Sequence, residues 1–170
     1  MINKFFIFLL LISFNIENIH SEKQELSKAY FASGCFWCVE SIYENLKGVV
    51  EVNSGYSGGN IKDPSYSQVM SGKTGHAETI EVIYDSKIIN FQTLVQVFFG
   101  SHDPSTLNRQ GPDVGTQYRS IAFFNSANEK QIIENEIKIL LKNRTYNKIT
   151  TEIEPFKKFY IAEDLSLIHI

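Results

Sequence analysis

Cysteine is scarce in this chain, and the scarcity narrows its chemistry. Cys35 and Cys38 are the only two among 170 residues. A bridge across so short a loop would constrain the unfolded chain little, so a disulfide-stapled scaffold is excluded. The four histidines, at positions 20, 76, 102 and 169, show no paired spacing, and two cysteines without further ligands do not build a metal site. Charge of one sign is also lacking: the net charge is −3 and no basic cluster occurs, which argues against nucleic acid as a partner. No apolar run reaches the ~20 residues that a bilayer-spanning helix needs. Proline numbers only four, and there is no linker, internal repeat or biased tract, so the chain reads as one ordinary domain rather than a disordered or fibrous one.

The longest apolar run lies at the start. Lys4 is followed by residues 5–14 (FFIFLLLISF), a positive end and an apolar stretch of the length found in export leaders. Residues 1–21 are therefore expected to be a signal peptide and residues 22–170 the single folded domain. That domain would be periplasmic or secreted, with no stable membrane insertion after cleavage. The alternative is an uncleaved N-terminal helix.

What the chain does have is aromatic bulk, with thirteen Phe and eight Tyr to fill a core. Residues 28–33 (KAYFAS) read as a short strand ending at Gly34. From Cys35 the spacing becomes helical through Phe36, Val39, Ile42, Tyr43 and Leu46, until Gly48 stops it. Residues 49–56 alternate as a strand, 66–70 allow one helical turn, and 76–84 form a second long strand. Asn90 caps a helix through Phe99. The polar stretch 101–116 reads as a functional loop, followed by a strand at 118–124. Ser126 opens a helix over 127–141, with Glu129 completing a capping box, and 149–153 is a last strand. The order β-α-β-β-α-β plus one helix and strand predicts an α+β fold: a ferredoxin-like two-layer sandwich with a split βαβ core, long loops, and helices on one face of the sheet.

The chemistry gathers where the first strand meets the first helix. GCFWCVE (34–40) sets Cys35 at a helix start, where unpaired N–H groups and the helix dipole favour an anion. A thiol there is expected to be partly thiolate at neutral pH and hence nucleophilic. Gly34 permits a tight turn and close approach of a substrate. Cys38, three residues on, can capture an oxidised Cys35 as a disulfide after slight unwinding. Two inert buried thiols are the alternative. Phe36 and Trp37 serve equally well as core or as walls for a small apolar group beside the nucleophile. Glu78 shares its strand face with Ile80 and Val82, so burial would raise its pKa; a solvated strand-edge carboxylate is the other reading. His76 and His102 are taken as structural. A thioredoxin-like disulfide exchanger also uses Cys-x-x-Cys at a helix start, but needs a proline facing the cysteines, and Pro64, Pro104, Pro112 and Pro155 fall in loops or at a strand end.

These residues carry a family resemblance. GCFWCVE is similar to the active-site signature of the A-type peptide-methionine (S)-S-oxide reductases. The similarity continues through GYSGG (55–59), PSYSQVMSGKTGHAE (64–78), HDPSTLNRQGPDVGTQYRS (102–120) and FYIAED (159–164), in family order. It implies Cys35 as nucleophile toward the sulfoxide sulfur and Glu78 as the acid that protonates the sulfoxide oxygen. Tyr66 and Tyr118 would hydrogen-bond that oxygen, Phe36 and Trp37 would hold the S-methyl group, and Asp113 would line the pocket. The implied substrate is the S epimer of methionine sulfoxide, free or in oxidised proteins. No bound cofactor or metal is implied; the reductant is an external dithiol of thioredoxin type. Cys38 as the resolving cysteine is a reading of this sequence, since many relatives carry Gly there and resolve with cysteines near the C-terminus. After FYIAED the family continues with a polar and aromatic tail, whereas LSLIHI (165–170) stands here and reads as a shortened tail.

Overall fold

The computed structural model of the protein describes residues 25–163. The expected leader (1–21) and the terminal LSLIHI (165–170) lie outside the described residues.

The elements follow in the order β1 (Ser27–Ser33), α1 (Phe36–Glu44), β2 (Val49–Ser57), α2 (Tyr66–Met70), β3 (Ala77–Tyr84) and α3 (Phe91–Ser101). A small hairpin of β4 (Arg109–Gln110) and β5 (Asp113–Val114) comes next, then a 3-10 turn (Thr116–Tyr118) and β6 (Ser120–Phe124). The chain continues as α4 (Ala127–Lys142), β7 (Glu152–Pro155) and β8 (Tyr160–Ile161). The main sheet runs β7-β6-β1-β3-β2-β8. β3 lies antiparallel between β1 and β2, which is the split βαβ, and β6 is antiparallel to β1 on its other side. The additional helix α4 returns the chain as β7, parallel to β6.

Both faces of the sheet are covered, by different means. Ala29, Phe31, Ile80, Val82 and Ala122 pack against Val39 and Tyr43 of α1, Leu94, Val95 and Phe98 of α3, and Ile133 of α4. The opposite face, with Tyr30, Ala32, Ala77, Ile121 and Phe123, meets no helix among the described residues and is closed by Phe156 and Phe159. Tyr30 stacks on Phe156 with ring centroids 3.6 Å apart. Because successive side chains of a strand point to opposite faces, this arrangement puts Glu78 on the helix side with Ile80 and Val82. Helices on a single face is the expected arrangement, and the expected α+β class is the observed one.

Local signals explain most element starts. Asn90 Oδ1 accepts from Thr93 N at 2.9 Å, and Ser126 Oγ accepts from Glu129 N at 3.2 Å. Glu129 does not close the expected box on Ser126; its carboxylate reaches one residue further back to accept from Asn125 N at 2.6 Å. The stretch 101–116 is more ordered than a plain loop, since it carries the β4–β5 hairpin. The strand expected at 149–153 lies at Glu152–Pro155, and Tyr118 sits in the 3-10 turn rather than in β6. β8 has no counterpart in the sequence reading. It is a two-residue strand docked on β2 through Gly55 and Tyr56, where a Cβ on Gly55 would collide with Tyr160 O and the Phe159 ring.

The two histidines within the described residues hold loops in place. His76 is buried; its Nδ1 accepts from Gly59 N at 3.1 Å and its Nε2 faces Ile61 O at 2.8 Å. The proton therefore sits on Nε2, and the ring ties the 59–61 turn to the start of β3. His102 Nδ1 lies 2.7 Å from Phe98 O, and Nε2 lies 2.7 Å from Ser120 Oγ. Burial pushes its pKa down to about 4, so the ring is neutral and anchors the start of the 101–116 stretch to β6.

Candidate active site

The turn from β1 into α1 is made by Gly34 at φ +89°, a left-handed conformation in which a side chain would be strained. A Cβ there would also sit 2.7 Å from Gln110 of β4, so the hairpin packs directly on this turn. Cys35 follows as the N-cap residue of α1, half-buried, without a side-chain cap bond. The first amide of the helix is satisfied from another element: Phe36 N donates to Glu78 Oε2 at 3.0 Å. One hydrogen bond thus supplies a partner for an orphan helix N–H and holds the β3 carboxyl beside the residue that precedes Phe36.

Around this junction lies a cavity of about 130 Å³ lined by Cys35, Trp37, Tyr66, Glu78, Asp113 and Tyr118. The lining comes from five parts of the chain: the start of α1, α2, β3, β5 and the 3-10 turn. Two of the residues singled out in the sequence lie elsewhere. Phe36 is buried at 1% exposure and is not in the lining; its ring backs Trp37 at 5.4 Å and Tyr56 at 5.9 Å. Cys38 is exposed on α1 and also outside the lining. Met70 was not singled out, yet its Sδ accepts from Tyr118 Oη at 3.4 Å. A larger opening of about 230 Å³ on the helix-free side is lined by Arg119, Glu152, Lys157 and Lys158, among others. Arg119 is already engaged there by Glu152 and by Gly75 O, and neither cysteine is in its lining. The small cavity, which holds the Cys35 thiol, is therefore the candidate site.

Burial sets the electrostatics. The Glu78 carboxyl, 3% exposed, rises from 4.5 to about 7, chiefly through desolvation; the Phe36 N–H partly offsets this, and the Asp113 charge adds to it. The Cys35 thiol rises to about 11. Desolvation dominates, the amides of Cys38 and Trp37 pull the other way, and the charges of Cys38 and Glu78 push it further up. This corrects the expected resting thiolate: the helix N–H groups do favour the anion, but desolvation beside a carboxylate outweighs them. The phenols are raised as well, Tyr118 to about 12 and Tyr66 in the same direction, by burial first and then by the Glu78 charge. At neutral pH the cavity therefore holds a thiol, two phenol donors and a carboxyl near its midpoint. It can deliver protons to an acceptor placed against Cys35. Among the described residues no group of three or more His, Cys, Asp or Glu side chains is assembled as a metal would require.

Three comparisons bear on this site. The profile of the family described as peptide methionine sulfoxide reductase matches residues 27–166. The peptide methionine sulfoxide reductase MsrA of Saccharolobus solfataricus is 47% identical over 136 residues, covering 80% of this chain and 76% of that protein. The reduced form of Mxr1 from Saccharomyces cerevisiae superposes with a TM-score of 0.78 at 36% identity, covering 88% of this chain and 87% of that one. Mxr1 in complex with Trx2 superposes at 0.60 and 26% identity, covering 90% and 92%.

The raised Glu78 pKa has a stability consequence whose sign is fixed. Below pH 4.5 the folded and unfolded chains both hold the proton. As pH rises toward 7 the unfolded chain releases it first, so stability is lost across that window and levels off above it. Glu78→Gln cannot ionise and keeps an acceptor for Phe36 N. Its unfolding free energy should equal that of the wild type near pH 4 and exceed it at pH 8 by on the order of 3 kcal/mol. Denaturant unfolding at both pH values measures this, and a difference independent of pH would contradict it.

Proposed function

The chain belongs to the peptide methionine sulfoxide reductase family, and on that premise we propose that it reduces the S epimer of methionine sulfoxide, free or protein-bound, through Cys35, Glu78, Tyr66, Tyr118 and Cys38. The observation that carries the assignment of Cys35, Glu78, Tyr66 and Tyr118 is the shared cavity, in which a thiol, a carboxyl and two phenols converge. As a member of the family the protein is an oxidoreductase that works by thiol chemistry with recycling by thioredoxin.

A sulfoxide sulfur becomes electrophilic when its oxygen receives a proton or strong hydrogen bonds. Tyr66 and Tyr118 donate to that oxygen, and Tyr118 does so by giving up the Met70 sulfur it bonds in the resting site. Glu78 supplies the proton. Trp37 and Asp113 shape the walls, and Phe36 holds Trp37 from behind. Cys35 Sγ attacks the sulfur as thiolate, the oxygen passes to Cys35, and methionine leaves with Cys35 as sulfenic acid. The Cys38 thiol then attacks Cys35 Sγ; the S–OH bond breaks, water departs, and a disulfide forms. Cys35 is the extended N-cap residue and Cys38 lies in the first turn of α1, so any movement that brings their Cβ atoms to the roughly 3.5–4.5 Å of a disulfide is confined to the start of that helix. The exposed Cys38 sulfur is the one an external dithiol can attack, restoring both thiols. In sum, one sulfoxide and one dithiol give one methionine, one disulfide and one water.

We also propose that the protein is exported, on the strength of Lys4 and the apolar run 5–14. Intact-mass analysis of protein recovered outside the cytoplasm should show loss of roughly the first twenty residues; a full-length chain confined to the cytosol would overturn export.

The first test is turnover of resolved S and R sulfoxides. Only the S epimer should react, and Cys35→Ser should abolish it. Cys38→Ser should yield one equivalent of methionine per enzyme and then stop when thioredoxin is the reductant, whereas sustained turnover would remove Cys38 from the resolving role. A pH profile tests the protonation states. With Glu78 at about 7 and Cys35 at about 11, the pair holds two protons below neutrality and one above it. Attack by thiolate with proton delivery from the acid requires the one-proton state. Single-turnover kcat/KM should therefore rise to about pH 7 and then level off. Glu78→Gln should lose that limb together with about 10²–10⁴ in rate. A fall above pH 7 in the wild type would mean that both protons are needed.

A further inference from the structure

We infer that Glu163, in the segment after β8, is a positioning residue that sets the place of Tyr66 in the cavity. The inference rests on the proposed role of Tyr66 as a donor to the sulfoxide oxygen.

The helix that carries Tyr66 is weak by itself. α2 has five residues, far below the length at which a helix persists unaided. Its start is held from two directions. Ser65 and Gln68 form a capping box, with Gln68 N donating to Ser65 Oγ at 3.4 Å and Ser65 N donating to Gln68 Oε1 at 2.9 Å. That box does not engage the amide of Tyr66, which as the first helical residue lies ahead of any carbonyl its own helix could offer. Glu163 provides it: Tyr66 N donates to Glu163 Oε1 at 2.7 Å, across 97 positions of sequence. A carboxylate at a helix start also suits the helix dipole.

Glu163 is itself fixed. Its other oxygen accepts from Tyr56 Oη at 3.2 Å, and Tyr56 is fully buried. Tyr56 pairs with Glu78 across β2 and β3 and with Tyr160 across β2 and β8. Ala162 N donates to Ser54 O at 3.0 Å, extending the docking of the tail on β2. The carboxylate thus relates the α2 backbone to the strand that neighbours the acid. Losing it would leave the Tyr66 hydroxyl to move relative to Glu78 and Cys35, and a misplacement of about 1 Å can cost on the order of 10²-fold in rate.

The test is a double-mutant cycle with Glu163→Ala and Tyr66→Phe, read as kcat and KM for a methionine S-sulfoxide in single turnover. Thermal unfolding and the rate of Cys35 alkylation serve as controls on the fold and on the nucleophile. Glu163→Ala should lower kcat by about 10–100-fold with a smaller change in KM, at an unaltered Cys35 alkylation rate. In the Tyr66→Phe background the same substitution should cost nothing further, because the hydroxyl it positions is gone. Glu163→Gln keeps an oxygen for Tyr66 N and should stay within about threefold of the wild type, since a neutral acceptor is weaker than a charged one. Losses that multiply in the double mutant, or a Glu163→Gln as defective as Glu163→Ala, would reduce Glu163 to a structural residue and overturn the inference. A wild type without sulfoxide turnover, or a fully active Tyr66→Phe, would instead overturn the functional reading beneath it.

Discussion

The hydrogen bond from Phe36 N to Glu78 Oε2 joins the two elements on which the site depends. It occurs because α1 begins with amides that no helical carbonyl can reach, and because β3 crosses beneath that start with a carboxyl on its helix-facing side. The bond orients the carboxyl, completes the helix end and holds Glu78 beside Cys35. Each of those requirements could be met separately in water. Under the aromatic cover of Phe36 and Tyr56 they have to be met together, since a buried carboxyl and a buried amide each cost more than they return when unpaired.

Burial then does two opposing things. It raises the Glu78 carboxyl into the range where a proton can be given at neutral pH, and it raises the Cys35 thiol away from the thiolate. The pair is better described by its shared proton than by either member alone. A site of this kind does not rest with a charged thiolate. In the reaction proposed above, the thiolate forms at the expense of a proton that Glu78 passes to the sulfoxide oxygen. Ionising such a carboxyl above neutrality destabilises the fold, a cost of the sort that active sites carry in exchange for activity.

The rest of the cavity is built from pieces with little independent stability. α2 has five residues, the β4–β5 hairpin has two residues in each strand, and Tyr118 comes from a single 3-10 turn. Each is held by contacts distant in sequence: Gln110 against Gly34, Thr150 N to Pro104 O at 2.7 Å, Arg119 to Gly75 O at 3.0 Å, and Glu163 to Tyr66 N at 2.7 Å. The rigid sheet supplies Glu78 and the start of α1 supplies Cys35. The short elements bring the phenols and Asp113 to them.

Local chemistry made much of this legible in the chain itself. Hydrophobic periodicity marks the β-α-β-β-α-β order, and Asn90 and Ser126 cap their helices because a short polar side chain can satisfy its own nearby amide. The residues of α2 stand at 66–70 as read, and Cys35 sits at the helix start because Gly34 precedes it. These features depend on neighbours a few residues apart. Tertiary contact alone decided the remainder. The docking of β8 requires the bare face of Gly55, the burial of Phe36 behind Trp37 requires Tyr56 from β2, and the thiol of Cys35 is protonated at rest because desolvation and Glu78 outweigh the helix amides. Burial and charge at a point in space are sums over residues that the chain holds far apart, so no short window of sequence contains them.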